Sequence, residues 1–295
     1  MSKRKLKQAI QYEMFLIPAF VAFTLFTIIP LIKTVMYSVT DFDGISHEYN
    51  FVGLKNFISV FQDAAMRHSL FNTIFYTFCT MILINLIAIP LAVFLDKKTK
   101  LKSLERAVFF FPSIVSGLLL GYIWGYILSP MKTGALNTLI GFFGFGPIGF
   151  TATEWGAKIS IILVSVWMNT GWYATVYLAY LQSIPSEYYE AAAIDGANKL
   201  QQFKQITLPL LAPGLTVNTL LLLTNGLKVY DLPYSLTKGG PGYSNYTVTQ
   251  CIIQKGISEK LYGPSTALAT LFILIVAIIA GGQYMTMRKR EEDIA

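Results

Sequence analysis

Charge is what this sequence has least of. Only 13% of its residues are charged while 54% are hydrophobic, and the mean hydropathy is +0.53. A soluble domain usually carries about 25% charged residues, so composition alone points to a membrane. Histidine and cysteine are almost missing. His47 and His68 lie far apart in one loop without ligand-like spacing, while Cys79 sits in an apolar run and Cys251 in a polar loop. That pattern gives neither a disulfide framework nor a metal site. Catalytic sets are missing too. The chain has no G-x-x-x-x-G-K-S/T to cradle ATP phosphates, no histidine near a serine or cysteine nucleophile, and no paired carboxylates in a pocket-like context. One apparent exception is Gly144-Phe145-Gly146-Pro147-Ile148-Gly149, which fits the spacing of a dinucleotide-binding loop. Such a loop needs a preceding strand and a following helix N-terminus. Here Pro147 removes a donor and the surroundings are Phe, Gly and Pro, so a short re-entrant or interfacial element is expected.

What the chain does have is apolar runs. Runs of roughly 20 residues match the ~30 Å hydrocarbon core of a bilayer at 1.5 Å per helical residue. They place six spans at Met14–Tyr37, Asn72–Leu95, Ala107–Leu128, Ile159–Leu181, Leu210–Leu227 and Ala267–Met287. The fifth is the shortest and is interrupted by Thr224, Asn225, Gly226 and Lys228. The first run is too long for a signal-peptide core and no small-x-small cleavage site follows, so it is expected to stay as a helix. The expected fold is an all-α integral membrane domain over 14–287, with short tails at 1–13 and 288–295.

Basic residues orient it. Fourteen lie in the N-terminal tail, the loops after spans two and four, and the C-terminus, against six in the opposite loops. Lys33, Lys158 and Lys228 sit at span edges. By the positive-inside bias both termini are cytoplasmic. The net charge of +7 is read in the same way. Without a basic helix or an aromatic-basic platform it does not indicate nucleic acid.

Within the spans, Gly117, Gly121 and Gly125 form a repeated small-xxx-small stripe, expected to admit another helix closely. Pro18, Pro30 and Pro90 are expected to bend or end their helices. Asn245-Tyr246-Thr247 matches a glycosylation sequon, which matters only in a secretory-pathway host.

The segment Ile184–Pro209, on the cytoplasmic side between spans four and five, reads as two short helices. The first starts after Pro185, where Ser186 is expected to cap free amides, runs through Ala191-Ala192-Ala193 and stops at Gly196, suited to the left-handed position. The second starts with Asn198 as N-cap and Gln201 three residues on, a capping-box arrangement. Three alanines give a slim helix able to lie in a groove of another protein, with Glu190 at its edge.

This segment resembles the EAA loop of binding-protein-dependent importer permeases: Glu190-Ala191-Ala192, Gly196, Ile206, Leu208 and Pro209 stand at each fixed position of that pattern. Ala179–Pro185, Asp195-Gly196-Ala197 and Leu236–Gly242 resemble the carbohydrate branch, in particular the larger permease subunit of the maltose importer, in a compact six-span form without extra N-terminal spans or a large periplasmic insert. The resemblance implies a type I ABC importer permease fold in a bacterial or archaeal cytoplasmic membrane. It implies a second six-span permease, a cytoplasmic ATPase dimer that binds the ATP and Mg, and an extracellular sugar-binding protein. No cofactor is expected in this chain, and Glu190, Ala191, Ala192, Asp195 and Gly196 are expected to couple it to the ATPase.

Sugars offer hydroxyls and weakly apolar ring faces, and polar groups within spans tend to face a cavity or a partner. Span four supplies Trp167, Asn169, Trp172 and Tyr173; the end of span five supplies Asn225, Lys228, Tyr230 and Asp231. Lys228 and Asp231, three apart on a helix, are expected to neutralise each other. Aromatic side chains also gather at membrane interfaces, which makes the asparagines the stronger candidates. Three rivals stand beside it: the same architecture carrying a glycerol phosphodiester, an amino acid or another non-sugar solute; a secondary transporter; and a structural or scaffolding membrane protein, which explains the hydrophobicity and the glycine stripe but not the loop. The second lacks a visible inverted repeat and leaves the EAA loop without a purpose.

Overall fold

A computed structural model describes residues 14–46, 48–97 and 100–292, without the side chains of 286–292. The expected tail 1–13 with its basic residues, His47, Lys98, residues 293–295 and the side chains of Arg288, Lys289 and Arg290 fall outside that description. The helices are α1 (Met14–Ser38), α2 (Lys55–Gln62), α3 (Ala64–Asp96), α4 (Lys102–Ile114), α5 (Gly117–Ile127), α6 (Ala135–Phe142), α7 (Glu154–Leu181), α8 (Ser186–Ile194), α9 (Lys199–Leu210), α10 (Ala212–Leu227), α11 (Asp231–Thr237), α12 (Val248–Ile253) and α13 (Tyr262–Glu292). No strand occurs among the described residues; one antiparallel bridge pairs Thr40 with Phe51.

Four of these helices, α1, α3, α7 and α13, are long and apolar enough to cross a membrane, and the total is six if each of two bent pairs counts as one span. The bent pairs correct the sequence reading. The third expected span, Ala107–Leu128, is two helices, α4 and α5, at 93°. Val115 and Ser116 are extended between them, with ψ of 139° and 134°, so the ladder of helical hydrogen bonds stops and restarts. The fifth breaks at Leu211, where α9 meets α10 at 64°. Helices α3, α7 and α13 begin at Ala64, Glu154 and Tyr262, ahead of the expected Asn72, Ile159 and Ala267, because their first turns are helical without being strongly apolar. The last helix likewise continues to Glu292, into the residues expected as a tail.

None of Pro18, Pro30 or Pro90 ends its helix. A proline ring clashes with the carbonyl four residues back, and a wider turn relieves that clash. Pro30 follows the π-turn Thr24–Ile28, and Pro209 follows the π-turn Phe203–Thr207 at the same spacing.

Contacts divide the chain into two compact units. One comprises the chain up to Asp63 with Ile252–Ile273, the other Ala64–Cys251 with the chain from Leu274 on. In the first, the buried Asn56 of α2 donates its amide to the carbonyls of Ser38 and Thr40, at 3.0 and 2.7 Å. Lys255 bridges Asp63 at 2.9 Å and Glu259 at 3.0 Å. Burial pulls the Lys255 pKa down, but the hydrogen bonds to Asp63 and Glu259 outweigh it and raise the pKa above the usual lysine value.

In the second unit α3 and α7 pack along each other, with α10 against α3 and α4 against α7. Ala88, Ala92 and Ala174, none with any exposed surface, let these backbones approach, and Ile84, Tyr177 and Leu222 fill the layer around them. Polar groups bind the helices across this core. The Tyr177 hydroxyl donates to Asn85 Oδ1 at 2.5 Å and the Asn218 amide to the Tyr173 carbonyl at 3.1 Å. In a bilayer such bonds are worth about 0.6 kcal/mol each on average.

Candidate functional site

The second unit holds a cavity of about 400 Å³ between α3, α7, the end of α10 and the start of α11. It gathers six of the residues singled out from sequence: Asn169, Tyr173, Asn225, Lys228, Tyr230 and Asp231. They are fixed from behind. Asn169 donates its amide to the Ser165 carbonyl at 2.9 Å, and Ser165 Oγ meets the Tyr76 hydroxyl at 2.6 Å. Asn225 Nδ2 donates to the Tyr173 hydroxyl at 3.4 Å. Tyr230 stacks on Tyr234, ring centroids 5.1 Å apart. The wall therefore offers amides, hydroxyls and an aromatic face, with one ammonium and one carboxylate at the α10–α11 break.

That break overturns the expected Lys228–Asp231 pairing. Helix α10 ends at Leu227, Lys228 is its C-cap, and α11 starts afresh at Asp231 after Tyr230 at φ −142°, ψ −55°. The two are not three apart on one helix, and no ion pair joins them. Trp167 does not line the cavity; it packs edge-on against Trp124 at 5.3 Å. Trp172 packs edge-on against Tyr173 at 4.7 Å, also away from the cavity. The structure adds Tyr76, Thr80, Ser165 and Met168, which the sequence reading missed. Thr73, Tyr76, Thr77 and Thr80 recur at three- and four-residue spacing along an apolar span, and that polar stripe was the available signal.

The glycine stripe does what its spacing predicts. Helix α5 lies on α11, where a Cβ on Gly121 would overlap Ser235 Oγ and sit 3.1 Å from the Leu232 carbonyl oxygen. Residues 144–149 form no helix. Asn137 of α6 pins them, accepting from Ile148 N at 2.8 Å and donating to the Ile148 carbonyl at 3.0 Å. Asn245 of the sequon is buried, its amide given to the Glu154 and Gly240 carbonyls.

The EAA loop is built by local chemistry. Pro185 is the N-cap of α8 and no side chain caps it, so Ser186 is the first helical residue rather than the cap. A cap needs a non-helical backbone, and Pro185, at ψ 135°, supplies it. At the other end Gly196 has φ +81°. Ala197 N donates to Ala192 O at 2.8 Å and Gly196 N to Ala193 O at 3.1 Å, closing the helix in a Schellman motif. Asn198 and Gln201 then form the expected capping box: Asn198 N donates to Gln201 Oε1 at 2.7 Å, and Gln201 N to Asn198 Oδ1 at 3.0 Å. The Tyr189 hydroxyl meets Thr207 Oγ1 at 3.0 Å, tying α8 to α9. No residue of α8 is buried, Ile194 is 87% exposed, and a Cβ on Gly196 would meet nothing within 4 Å. This is a bare element, held by its own caps.

The sequence pattern of the family described as binding-protein-dependent transport system inner membrane component matches residues 84–290. The chain is 34% identical, over 98% of its own length and 97% of the relative's, to the probable starch degradation products transport system permease protein AmyD of Thermoanaerobacterium thermosulfurigenes. It is 31% identical to the trehalose/maltose transport system permease protein MalF of Thermococcus litoralis, covering 94% and 93% of the two chains. Among solved structures, a chain of a bacterial ABC transporter that imports the acidic polysaccharide alginate superposes with a TM-score of 0.85, at 21% identity over 97% of this chain and 98% of that one. That likeness is one of fold.

Proposed function

The chain belongs to the family of binding-protein-dependent transport system inner membrane components, and on that premise we propose that it is the permease subunit of an ATP-driven importer, taking a sugar or oligosaccharide from an extracellular binding protein into the cytoplasm. The observation that carries this is the bare α8–α9 loop, closed by the Schellman bonds and the capping box where its two helices meet and unburied along α8. The relatives named for starch products and for trehalose and maltose point to sugar as the cargo.

In this reading residues 14–287 are the transmembrane domain of a multi-pass protein of a bacterial or archaeal cytoplasmic membrane, with cytoplasmic tails at 1–13 and 288–295. Glu190, Ala191, Ala192, Asp195 and Gly196 enter a cleft of an ATPase subunit. ATP and Mg are held by that partner, and this chain supplies no catalytic group of its own. A second permease completes the channel. Nucleotide and the loaded binding protein bias a two-state gate through their different affinities for its two forms. Sugar hydroxyls exchange hydrogen bonds with Asn169, Asn225, Tyr173 and Tyr76, while Tyr230 offers its face to a pyranose ring. Lys228 and Asp231, not spent on each other, present a donor and an acceptor at the cavity rim.

Purification of the chain in mild detergent from its native host, followed by mass spectrometry, is expected to bring down an ATPase and a second six-span permease. A lone chain active in ion-driven uptake would instead make it a secondary transporter. For the pathway, Asn169→Ala and Asn225→Ala are each expected to lower the initial rate of sugar uptake about tenfold, the loss of one or two hydrogen bonds to substrate, with ATPase assembly unchanged. Uptake unaltered in the double variant would remove both from the pathway.

A further inference from the structure

The ends of α3 and α7 nearest the EAA loop frame a second cavity, of about 570 Å³. Its wall is apolar where Val93, Leu181 and Phe203 line it, and its rim carries the ammonium groups of Lys97 and Lys199. Both lysines are exposed, and neither is ion-paired among the described residues. Lys97 Nζ lies 5.5 Å from the centre of the Phe94 ring. The one carboxylate at the rim, Asp96, accepts from Gln182 Nε2 at 3.3 Å. On the loop side, the mutually bonded hydroxyls of Tyr189 and Thr207 close the wall.

Depth decides what such a cavity meets. The apolar run of α3 stops at Leu95, before Asp96 and Lys97, and that of α7 stops at Leu181, before Gln182 and Ser183, which puts the rim at the level where hydrocarbon gives way to headgroups. We propose that this cavity is a site for an anionic phospholipid, with its phosphate between Lys97 and Lys199 and the first methylenes of its acyl chains against Val93, Leu181 and Phe203. Basic pockets between membrane helices on the cytoplasmic side recognise lipid headgroups in this way. A soluble phosphate ester satisfies the two ammonium groups and leaves the apolar wall bare. Because Tyr189 and Thr207 belong both to this wall and to the EAA loop, a lipid seated here braces the loop from behind.

The test is native mass spectrometry of the full-length chain in mild detergent, titrated with dioleoylphosphatidylglycerol or dioleoylphosphatidylcholine. The chain is expected to retain phosphatidylglycerol in preference to phosphatidylcholine. The exposed double variant Lys97→Gln/Lys199→Gln is expected to weaken phosphatidylglycerol retention about thirtyfold, from two lysines acting at a membrane surface. Lys132→Gln, far along the chain in another loop, is expected to change nothing. Retention unaltered in the double variant overturns the proposal, as does equal loss of both lipids. Displacement of phosphatidylglycerol by equimolar glycerol 3-phosphate would assign the cavity to a soluble phosphate ester. Lipid held by the isolated chain but absent from chain purified with its partners would assign it to a protein.

Discussion

Gly171→Ala is expected to unfold the second unit of this chain or leave it too unstable to extract. Gly171 is buried in α7, and its hydrogen faces the backbone of α4. A Cβ there would overlap the Phe109 carbonyl oxygen, lie 2.5 Å from the Phe109 carbonyl carbon and 3.0 Å from Phe110 N. A flexible side chain swings away from such an intruder, whereas a helix backbone has to move as a body. Overpacking of this kind costs about 3 kcal/mol, a large share of the 5–15 kcal/mol typical of a folded domain. The measurement is the melting temperature of the detergent-purified chain, read beside Gly141→Ala. Gly141 lies in α6 with nothing within 4 Å of an added Cβ, and alanine in a helix gains about 1 kcal/mol over glycine. Equal melting for the two variants would show that the α4–α7 contact is not the tight joint described above.

The second large effect concerns coupling rather than folding. Gly196→Trp is expected to leave the chain folded and lower uptake by the reconstituted transporter roughly thirtyfold, the scale of losing a contact worth 2 kcal/mol at an interface, while ATP hydrolysis continues. Around Gly196 there is open space, so bulk at that position meets nothing in this chain and would act only against a partner docked there. The φ of +81° introduces a separate cost, about 1–2 kcal/mol for an ordinary residue in the left-handed region. Gly196→Asn separates the two, because asparagine tolerates that region and is small. Uptake preserved in Gly196→Asn and lost in Gly196→Trp identifies docking as the cause. If Gly196→Trp leaves both assembly and uptake intact, the EAA loop is not the coupling element.

What the sequence made legible was local. The Gly196 stop and the reciprocal Asn198–Gln201 cap involve groups within a few residues of one another, and both are in place. The glycine stripe was equally readable, since the small residues of one helix need only a neighbour. The missed features depend on direction or on distant partners. Averaged hydropathy counts apolar residues without asking where the chain turns, so Val115 and Ser116, unremarkable in type, concealed a 93° bend. Lys228 and Asp231 were paired by a helical spacing that the chain interrupts between them. Tyr76 came into the site only because α3 lies against α7, where Ser165 meets it. Trp167, an attractive platform for a sugar by residue type, found Trp124 instead.

Leu211, 1% exposed, is where α9 and α10 meet at 64°, and it can serve as a fulcrum. Helix α9 is a stiff arm of about 18 Å at 1.5 Å per residue. A rotation of about 10° at that joint would carry the far end, Lys199, some 3 Å sideways. The Asn198 cap and the Schellman closure at Gly196 tie that end to α8, so such a stroke would pass to Glu190, Ala191 and Ala192 with little loss. The elbow would make a crank of the α9–α10 pair: small angular work where α10 borders the cavity would be geared to linear travel at the α8–α9 loop, and the gearing would run equally well in reverse.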